Sequence, residues 1–248
     1  MVTLFELTHP DYSTDQEDFK YNPVEVINFL PGVFCDICGS QWASSDRIRV
    51  PSSTEEKIKN YLRENSFPRF VPISRWNDIK NDISNILNDF MNLDYVDISP
   101  GAEIGVPRGE ILKDKLEDFI HPFPGQIWVS GKVYCFLKEQ DLTGFNLIKV
   151  ESRWSKKLNK KSVPPELWEI DVKGKAWRIG MDLDKITDCR KCRRTVFPNP
   201  GWLKVDQSRW DGTDFFNVDL NPNIILVTKK VCSILKNQGF SNFQCVEV

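Results

Sequence analysis

Four of the seven cysteines form two Cys-x-x-Cys pairs: Cys35 with Cys38, and Cys189 with Cys192. Two cysteines separated by two residues can turn both thiolates toward one metal ion, and a structural zinc needs four ligands in a tetrahedron. Each pair supplies half of that number, so we predict that both pairs complete one zinc-ribbon-like site with four cysteine ligands. Four cysteines leave no open position for a substrate, so this zinc is expected to be structural.

The residues beside the two pairs refine this prediction. The site is expected to be formed by segments 33–42 and 187–194, which would join the two halves of the sequence. Gly39 follows Cys38, and a glycine there lets backbone N–H groups turn back toward sulfur; the corresponding residue of the second pair is Arg193. Zinc with four thiolates is a net anion, and basic residues around the second pair are expected to offset that charge.

Other interpretations of the cysteines stay open. A Cys-x-x-Cys pair can be a redox dithiol, usually at a helix N-terminus near a βαβ unit. Here a Pro31-Gly32 turn precedes the first pair, and extended segments are predicted before both. The thiols could also be ordinary buried side chains, or they could bind a metal other than zinc.

Hydrophobic spacing predicts the elements that position these cysteines. We expect strands at Val2–Leu7 and Val24–Leu30, helices over 54–64 and 75–90, and a hairpin over 166–179. Ser53, three residues before Glu56, has the pattern of a capping box for the first helix. In the second helix an apolar stripe runs through Ile79, Ile83, Ile86, Leu87 and Phe90.

Two segments, 126–150 and 223–248, resemble each other. Each is predicted to contain a strand, a Ser or Thr helix cap, a helix, a Gly-Phe dipeptide (Gly144-Phe145 or Gly239-Phe240) and a second strand. Duplication and chance similarity both explain this likeness. The whole pattern predicts an α+β fold with a mixed sheet, about four helices and two strand–helix–strand units, in a single domain over residues 1–248.

Composition limits the function classes. The 248 residues carry a net charge of -2, whereas nucleic-acid-binding domains are usually basic, so the charge argues against a nucleic-acid partner. No apolar stretch approaches the length of a membrane span, and residues 1–10 lack the pattern of a signal peptide. We therefore expect a cytoplasmic protein without a membrane partner.

Catalytic sequence patterns are missing as well. The chain contains no Gly-rich phosphate loop, nucleophile elbow or His-Glu-x-x-His motif. Its two histidines, His9 and His121, each precede a proline and are expected in turns or at the surface. The sequence therefore predicts a protein that is not an enzyme.

The segment Leu30–Trp42, with the sequence LPGVFCDICGSQW, resembles the signature of the double-CXXCG motif proteins. This paralogous bacterial family, expanded in myxobacteria, includes immunity proteins of swarming-inhibition toxin systems. A Pro-Pro-Glu-Leu segment (164–167) ahead of the second cysteine pair and a strand–helix–strand unit at 224–248 agree with the family pattern. Arg193 departs from it, since the family has a glycine there.

The resemblance implies an immunity protein that binds and neutralises a cognate protein toxin. An acidic face would favour association with a basic toxin, and acidic candidates lie in the early loop and on the second predicted helix: Asp11, Asp15, Glu17, Asp18, Asp78, Asp82 and Asp89. The same residues could be ordinary solvated faces. The alternative is a zinc-ribbon nucleic-acid-binding or regulatory protein, in which Arg190, Lys191, Arg193 and Arg194 contact phosphates near Trp202 and Trp210. A redox protein is a third hypothesis.

Overall fold

The computed structural model describes residues 2–10, 19–21, 29–44, 46–90, 98–158, 160–179, 189–192, 194, 204–218 and 221–248. They belong to two compact units. Unit 1 comprises Met1–Asn22, Pro107–Met181 and Pro200–Val248, and unit 2 comprises Pro23–Val106 and Asp182–Asn199. Both contain helices and strands, so the predicted α+β class is confirmed, whereas the single domain stays a prediction. Within the described ranges, no helix combines the length and the apolar character needed to cross a bilayer.

The elements are numbered along the chain. The strands are β1 (Leu4–Thr8), β2 (Phe19–Tyr21), β3 (Gly32–Phe34), β4 (Gln41–Trp42), β5 (Arg47–Ile48), β6 (Phe70–Pro72), β7 (Glu103–Ile104), β8 (Arg108–Ile111), β9 (Phe119–Phe123), β10 (Gln126–Ser130), β11 (Phe145–Lys149), β12 (Glu151–Trp154), β13 (Leu167–Val172), β14 (Gly174–Arg178), β15 (Val205–Asp206), β16 (Phe215–Val218), β17 (Asn221–Thr228) and β18 (Gln244–Glu247). The α-helices are α1 (Ser52–Asn65), α2 (Ile73–Asn88), α3 (Gly131–Glu139) and α4 (Lys229–Asn237). Two short 3-10 helices span Lys156–Leu158 and Gln207–Arg209.

Unit 2 places two helices and two small sheets around one core. β3 pairs antiparallel with β4 and parallel with β6, while β5 pairs parallel with β7. The predicted stripe of α2 is largely confirmed, because Ile79, Ile83 and Leu87 are fully buried in this core. Phe90 lies beyond the end of α2 and is 46% exposed, so it is not part of the buried stripe.

The predicted capping box of α1 is wrong. The helix begins at Ser52, with Pro51 at the N-cap, and has no side-chain capping hydrogen bond. The Pro51 carbonyl accepts from the backbone N–H groups of Thr54 and Glu55, each at 3.0 Å. Pro51 is fixed in an extended conformation (φ -63°, ψ 156°) that lets the helix begin directly after it, which places Ser53 inside the first turn. Of the strand predicted at Val24–Leu30, only residues 29–30 are among the described residues.

The described residues of unit 1 form three sheets. The largest has six strands in the order β15-β14-β16-β17-β1-β18, the second has the order β11-β13-β10-β9, and the third has the order β12-β8-β2. The hairpin predicted over 166–179 is wrong, since β13 and β14 are not paired with each other. β13 lies between β10 and β11 and pairs with both, and β14 pairs with β15 and β16. Both edges of β13 are occupied by other strands, which sequence spacing alone does not reveal.

The two predicted strand–helix–strand units are confirmed, and they have the same topology. In each, the two strands flank a third, antiparallel strand: β13 lies between β10 and β11, and β1 lies between β17 and β18. A hairpin partner, β9 or β16, completes each set. We call β9, β10, α3, β11 and β13 the first repeat, and β16, β17, α4, β18 and β1 the second repeat. Residues of both pack into one shared core.

Two aspartates make equivalent hydrogen bonds at the start of β9 and β16. Asp118 accepts from Ser130 Oγ at 3.0 Å in its own repeat and from the Ser241 backbone N–H at 3.1 Å in the other repeat. Asp214 likewise accepts from Thr228 Oγ1 at 2.8 Å in its own repeat and from the Thr143 backbone N–H at 3.1 Å in the other. Each aspartate thus accepts hydrogen bonds both from its own repeat and from the other repeat. This reciprocal pattern favours duplication over chance similarity.

The repeats align differently from the sequence prediction in one place. The structural counterpart of Gly144-Phe145 is Asn242-Phe243, not Gly239-Phe240. Gly144 has φ +88° and Asn242 has φ +64°, so the backbone adopts the left-handed conformation at the equivalent position of both repeats. The two phenylalanine rings also pack alike: Phe145 lies 4.5 Å from Phe215, and Phe243 lies 4.9 Å from Phe119, between ring centroids.

Gly144 is predicted to tolerate no side chain. A Cβ there would lie 2.1 Å from the Phe215 carbonyl oxygen, in addition to the strain of a positive φ. We expect Gly144→Ala to lower the free energy of unfolding by about 3 kcal/mol or more. Gly212 is the matched control, because its φ is +81° but nothing lies within 4 Å of its Cβ position. Gly212→Ala should cost only about 1 kcal/mol in chemical denaturation, and equal costs would contradict the packing argument.

The two histidines, each expected in a turn or at the surface, lie together. His9 directly follows β1 and is buried at 3% exposure, and His121 lies within strand β9. Their ring centroids are 5.3 Å apart. Both bond to Asn242: His9 Nε2 is 2.7 Å from its Oδ1, and His121 Nε2 is 3.1 Å from its carbonyl oxygen. The prolines that follow the two histidines do not indicate this His9–His121 contact, because it joins residues that are far apart in the sequence.

Stability should fall with acidity through His121. Burial lowers the pKa of His121 to about 4, and the nearby His9 ring adds to that shift. In the unfolded chain the pKa of this histidine is near 6.5, so the unfolded chain binds the proton more tightly than the native state does. The stability that comes from burying neutral His121 is therefore complete above about pH 6.5 and is lost as the pH falls toward 4. The loss should approach about 3 kcal/mol. His121→Asn, which installs the residue of the equivalent position (Asn217), should flatten this part of the pH profile in chemical denaturation; parallel profiles would disprove the assignment.

Candidate metal centre

The first cysteine pair lies in the turn between β3 and β4. The backbone N–H of Cys35 donates to the Ser40 carbonyl at 2.9 Å, and the N–H of Gly39 donates to the Cys35 carbonyl at 2.8 Å. Gly39 has φ +69°, a conformation that glycine adopts without strain. These bonds close a tight turn that places Cys35 in the core at 0% exposure and leaves Cys38 exposed.

The second pair belongs to the same unit, although it follows the first by most of the chain. Cys189 and Cys192 are 7% and 4% exposed and pack with Cys35 in the core of unit 2. The turn that holds them is described at residues 189–192 and 194, whereas Arg193 lies outside the described residues. The Arg194 backbone N–H bonds to Cys192 Sγ, as the Ser40 N–H bonds to Cys38 Sγ. The glycine that follows the first pair is therefore not required for this hydrogen bond.

The structure brings the four predicted cysteines together. Their Sγ atoms all lie within 4.8 Å of one another. Cys35 Sγ is 3.8 Å from Cys189 Sγ, and Cys38 Sγ is 3.8 Å from Cys192 Sγ. Sulfurs placed about 2.3 Å from a central ion form a tetrahedron with edges of about 3.8 Å, whereas a disulfide bond measures about 2 Å. The cluster can therefore hold one tetrahedrally coordinated metal ion.

The thiols differ in how readily they ionise. The Ser40 hydroxyl and its backbone N–H both donate to Cys38 and lower its pKa to about 6. Burial raises the pKa of Cys192 to about 12, although the Arg194 backbone N–H partly offsets that effect. A thiol must lose its proton to bind a metal, so Cys38 is prepared as a ligand and Cys192 requires the cation itself to displace its proton.

Basic residues in and beside the second Cys-x-x-Cys segment contact residues in and beside the first. Lys191 Nζ lies 2.9 Å from Asp36 Oδ2, an ion pair that lowers the pKa of Asp36 and raises that of Lys191. The neighbouring Cys35 and Cys189 also contribute to the raised pKa of Lys191. Arg194 Nη1 donates to Ser40 Oγ at 2.7 Å, and this hydroxyl in turn donates to Cys38. These contacts agree with the predicted compensation of thiolate charge.

The other candidate residues that the structure describes form contacts of their own. The acidic residues predicted on the second helix have local partners: Asp78 lies 3.6 Å from Arg75, Asp82 accepts from Tyr61 at 2.7 Å, and Asp89 lies 3.6 Å from Lys57. The acidic candidates at 11–18, and Trp202, lie outside the described residues. Trp210 belongs to unit 1, where its ring packs 5.3 Å from Phe216. Among the described cysteines, Cys135, Cys232 and Cys245 take no part in the cluster.

Comparison with known proteins leaves the family open. No family model matches the chain. The search of curated proteins likewise finds no match. Membership of the double-CXXCG family therefore stays a prediction that depends on the segment Leu30–Trp42, and the four-cysteine cluster is compatible with it.

Proposed function

We propose that unit 2 holds a structural zinc ion through Cys35, Cys38, Cys189 and Cys192. The observation that carries this proposal is the set of four sulfurs within 4.8 Å of one another, with two Sγ–Sγ distances of 3.8 Å and three of the cysteines buried in a hydrophobic core. Tetrahedral sulfur ligation is typical of zinc and of iron, and zinc is the usual occupant of closed structural sites. Elemental analysis of purified protein tests it: we expect about one zinc per chain, and a stoichiometric content of another metal would reject zinc.

We further propose that the protein is an immunity protein, which binds and neutralises a cognate protein toxin. The support is the resemblance of the segment Leu30–Trp42 to the double-CXXCG proteins, together with a four-cysteine cluster that would leave one bound metal ion no open position for catalysis. In this arrangement the zinc stabilises the fold, and the protein surface binds the partner.

Co-expression tests the immunity function. The protein product of the gene adjacent to this one is expressed in a host cell with and without the protein. We expect that product to stop growth, the protein to restore growth, and the two to co-purify as a stable complex. A toxic neighbouring product that neither binds nor is neutralised would contradict the proposal.

The described residues give the nucleic-acid alternative no support. It depends on free basic residues around the second cysteine pair, yet Lys191 ion pairs with Asp36 and Arg194 donates to Ser40. Titration of generic DNA and RNA at low salt distinguishes the two functions, since binding to phosphates weakens steeply as salt rises. Strong salt-dependent binding that Arg190→Glu abolishes would favour the alternative.

A further inference from the structure

The duplication in unit 1 identifies one segment that the repeat does not need. In the first repeat the Val150 N–H donates to the Leu167 carbonyl at 2.9 Å, and residues 151–166 connect the two positions. In the second repeat the equivalent bond runs from the Val248 N–H to the Leu4 carbonyl at 3.2 Å. Leu4 precedes the other strands of the second repeat and Val248 follows them, so no short connection joins these two residues. The second repeat thus forms the same sheet without a loop that links its β18 directly to its β1.

The added segment is ordered by its own contacts. It begins with β12, which pairs in parallel with β8, and Ser155 is buried with its N–H bonded to the Ile111 carbonyl at 2.9 Å. Trp154 Nε1 donates to the Ser162 carbonyl at 2.8 Å, which closes the loop that follows. A loop held in place before binding loses little conformational entropy when a partner docks.

We call the described residues 155–158 and 160–165 the lysine loop. It contains four lysines and no carboxylate: Lys156, Lys157, Lys160 and Lys161. Lys160 lies over the Trp154 ring at 4.4 Å and pairs with Asp114 at 2.8 Å. The other three are exposed and form no ion pair with a described residue, whereas Arg153, Lys149 and Arg108 around the loop each have a glutamate partner. The loop therefore presents three uncompensated positive charges.

An apolar residue lies beside these charges. Val163 is 87% exposed, the highest value among the large hydrophobic residues that the structure describes. An aliphatic side chain cannot stack on a base, the Trp154 ring has Lys160 over one face, and its N–H is already bonded. The loop also lacks arginine, the residue best suited to bidentate phosphate contacts. These features fit a protein surface better than a nucleic acid.

We propose that the lysine loop is a docking surface for the acidic face of a protein partner, with Val163 as its apolar anchor. This proposal builds on the proposed function, in which the partner is the toxin, and it assigns that toxin an acidic contact face. The alternative of an acidic surface on α2 is weaker, because its aspartates have partners within unit 2. Lysines at such a surface raise the rate of encounter and make binding sensitive to salt.

Charge reversal tests the proposal without the natural partner. The probes are a fluorescent peptide rich in Glu and Asp with a central Leu, and a fluorescent oligothymidylate of equal charge. Fluorescence anisotropy should show salt-sensitive binding of the peptide to the full chain. The triple variant Lys156→Glu, Lys157→Glu, Lys161→Glu should bind it at least about tenfold more weakly, and Val163→Asp should also weaken it.

The matched control reverses three exposed helix lysines of the same unit: Lys138→Glu, Lys229→Glu, Lys236→Glu. This control should bind the peptide like the wild type. Equal losses in both triple variants, no peptide binding, or tighter binding of the oligothymidylate through the same loop would each overturn the proposal. Where the adjacent gene product binds the protein, the loop triple should slow that association while the control does not. A failure of that product to bind at all rejects the immunity function and leaves the peptide result to decide on the loop.

Discussion

If unit 2 holds the proposed zinc, Cys189→Ser should release it and unfold unit 2. Structural zinc contributes on the order of 10 kcal/mol to folding, which is as large as the whole stability of a typical domain. Cys189 is 7% exposed and packs in the same core as α1 and α2, so a ligand lost there leaves three thiolates and an incomplete core. We expect the metal content to fall close to zero and backbone hydrogen exchange to rise strongly across residues 46–90.

Cys135→Ser is the matched control for this prediction. Cys135 is exposed on α3 in unit 1 and takes no part in the cluster, so its replacement should change neither metal content nor exchange. A strong chelator applied to the wild type should reproduce the effect of Cys189→Ser in unit 2. If the wild type purifies without metal, or if chelation leaves the exchange of residues 46–90 unchanged, the cluster is not a folding element.

The grouping of the four cysteines could be predicted from the sequence, because two-residue spacing within a pair lets two thiolates approach one ion. The sequence predicted one shared site for both pairs, but it did not indicate the division into two units, in which residues 182–199 belong with residues 23–106. Nor could it show the hydrogen bond from the Arg194 N–H to Cys192, which reproduces the first turn without its glycine. Backbone geometry of this kind has no marker in side-chain type.

Local elements were predicted more accurately than strand neighbours. The stripe of α2 and the helices α3 and α4 follow from apolar spacing, which reports local burial. The false hairpin at β13 and β14 shows the limit, because strand pairing depends on long-range contacts that spacing does not encode. The role of β1 shows it again: Leu4–Thr8 completes the second repeat, whose other strands lie more than two hundred residues later.

Asp118→Ala and Asp214→Ala should each cost about 3 to 5 kcal/mol of unfolding free energy, because each removes at least two hydrogen bonds to a carboxylate: two at Asp118, and three at Asp214, where Thr143 Oγ1 also donates. Both side chains are largely buried, with exposures of 19% and 15%. Each also has a lysine of the following helix nearby: Lys132 lies 3.7 Å from Asp118, and Lys230 lies 3.9 Å from Asp214. Equivalent surroundings predict equivalent losses, measurable by chemical denaturation.

Asp141→Ala is the control, because Asp141 is an exposed aspartate of the same unit. It should cost less than about 0.5 kcal/mol. Each of the two buried aspartates hydrogen-bonds to residues of both repeats. Asp118, for example, accepts from Ser130 in the first repeat and from Ser241 in the second. Asp118→Ala should therefore raise hydrogen exchange in α3 and in α4 alike. An effect confined to α3 would show that the repeats are stabilised separately, and that the hydrogen bonds between the repeats contribute little to holding them in one core.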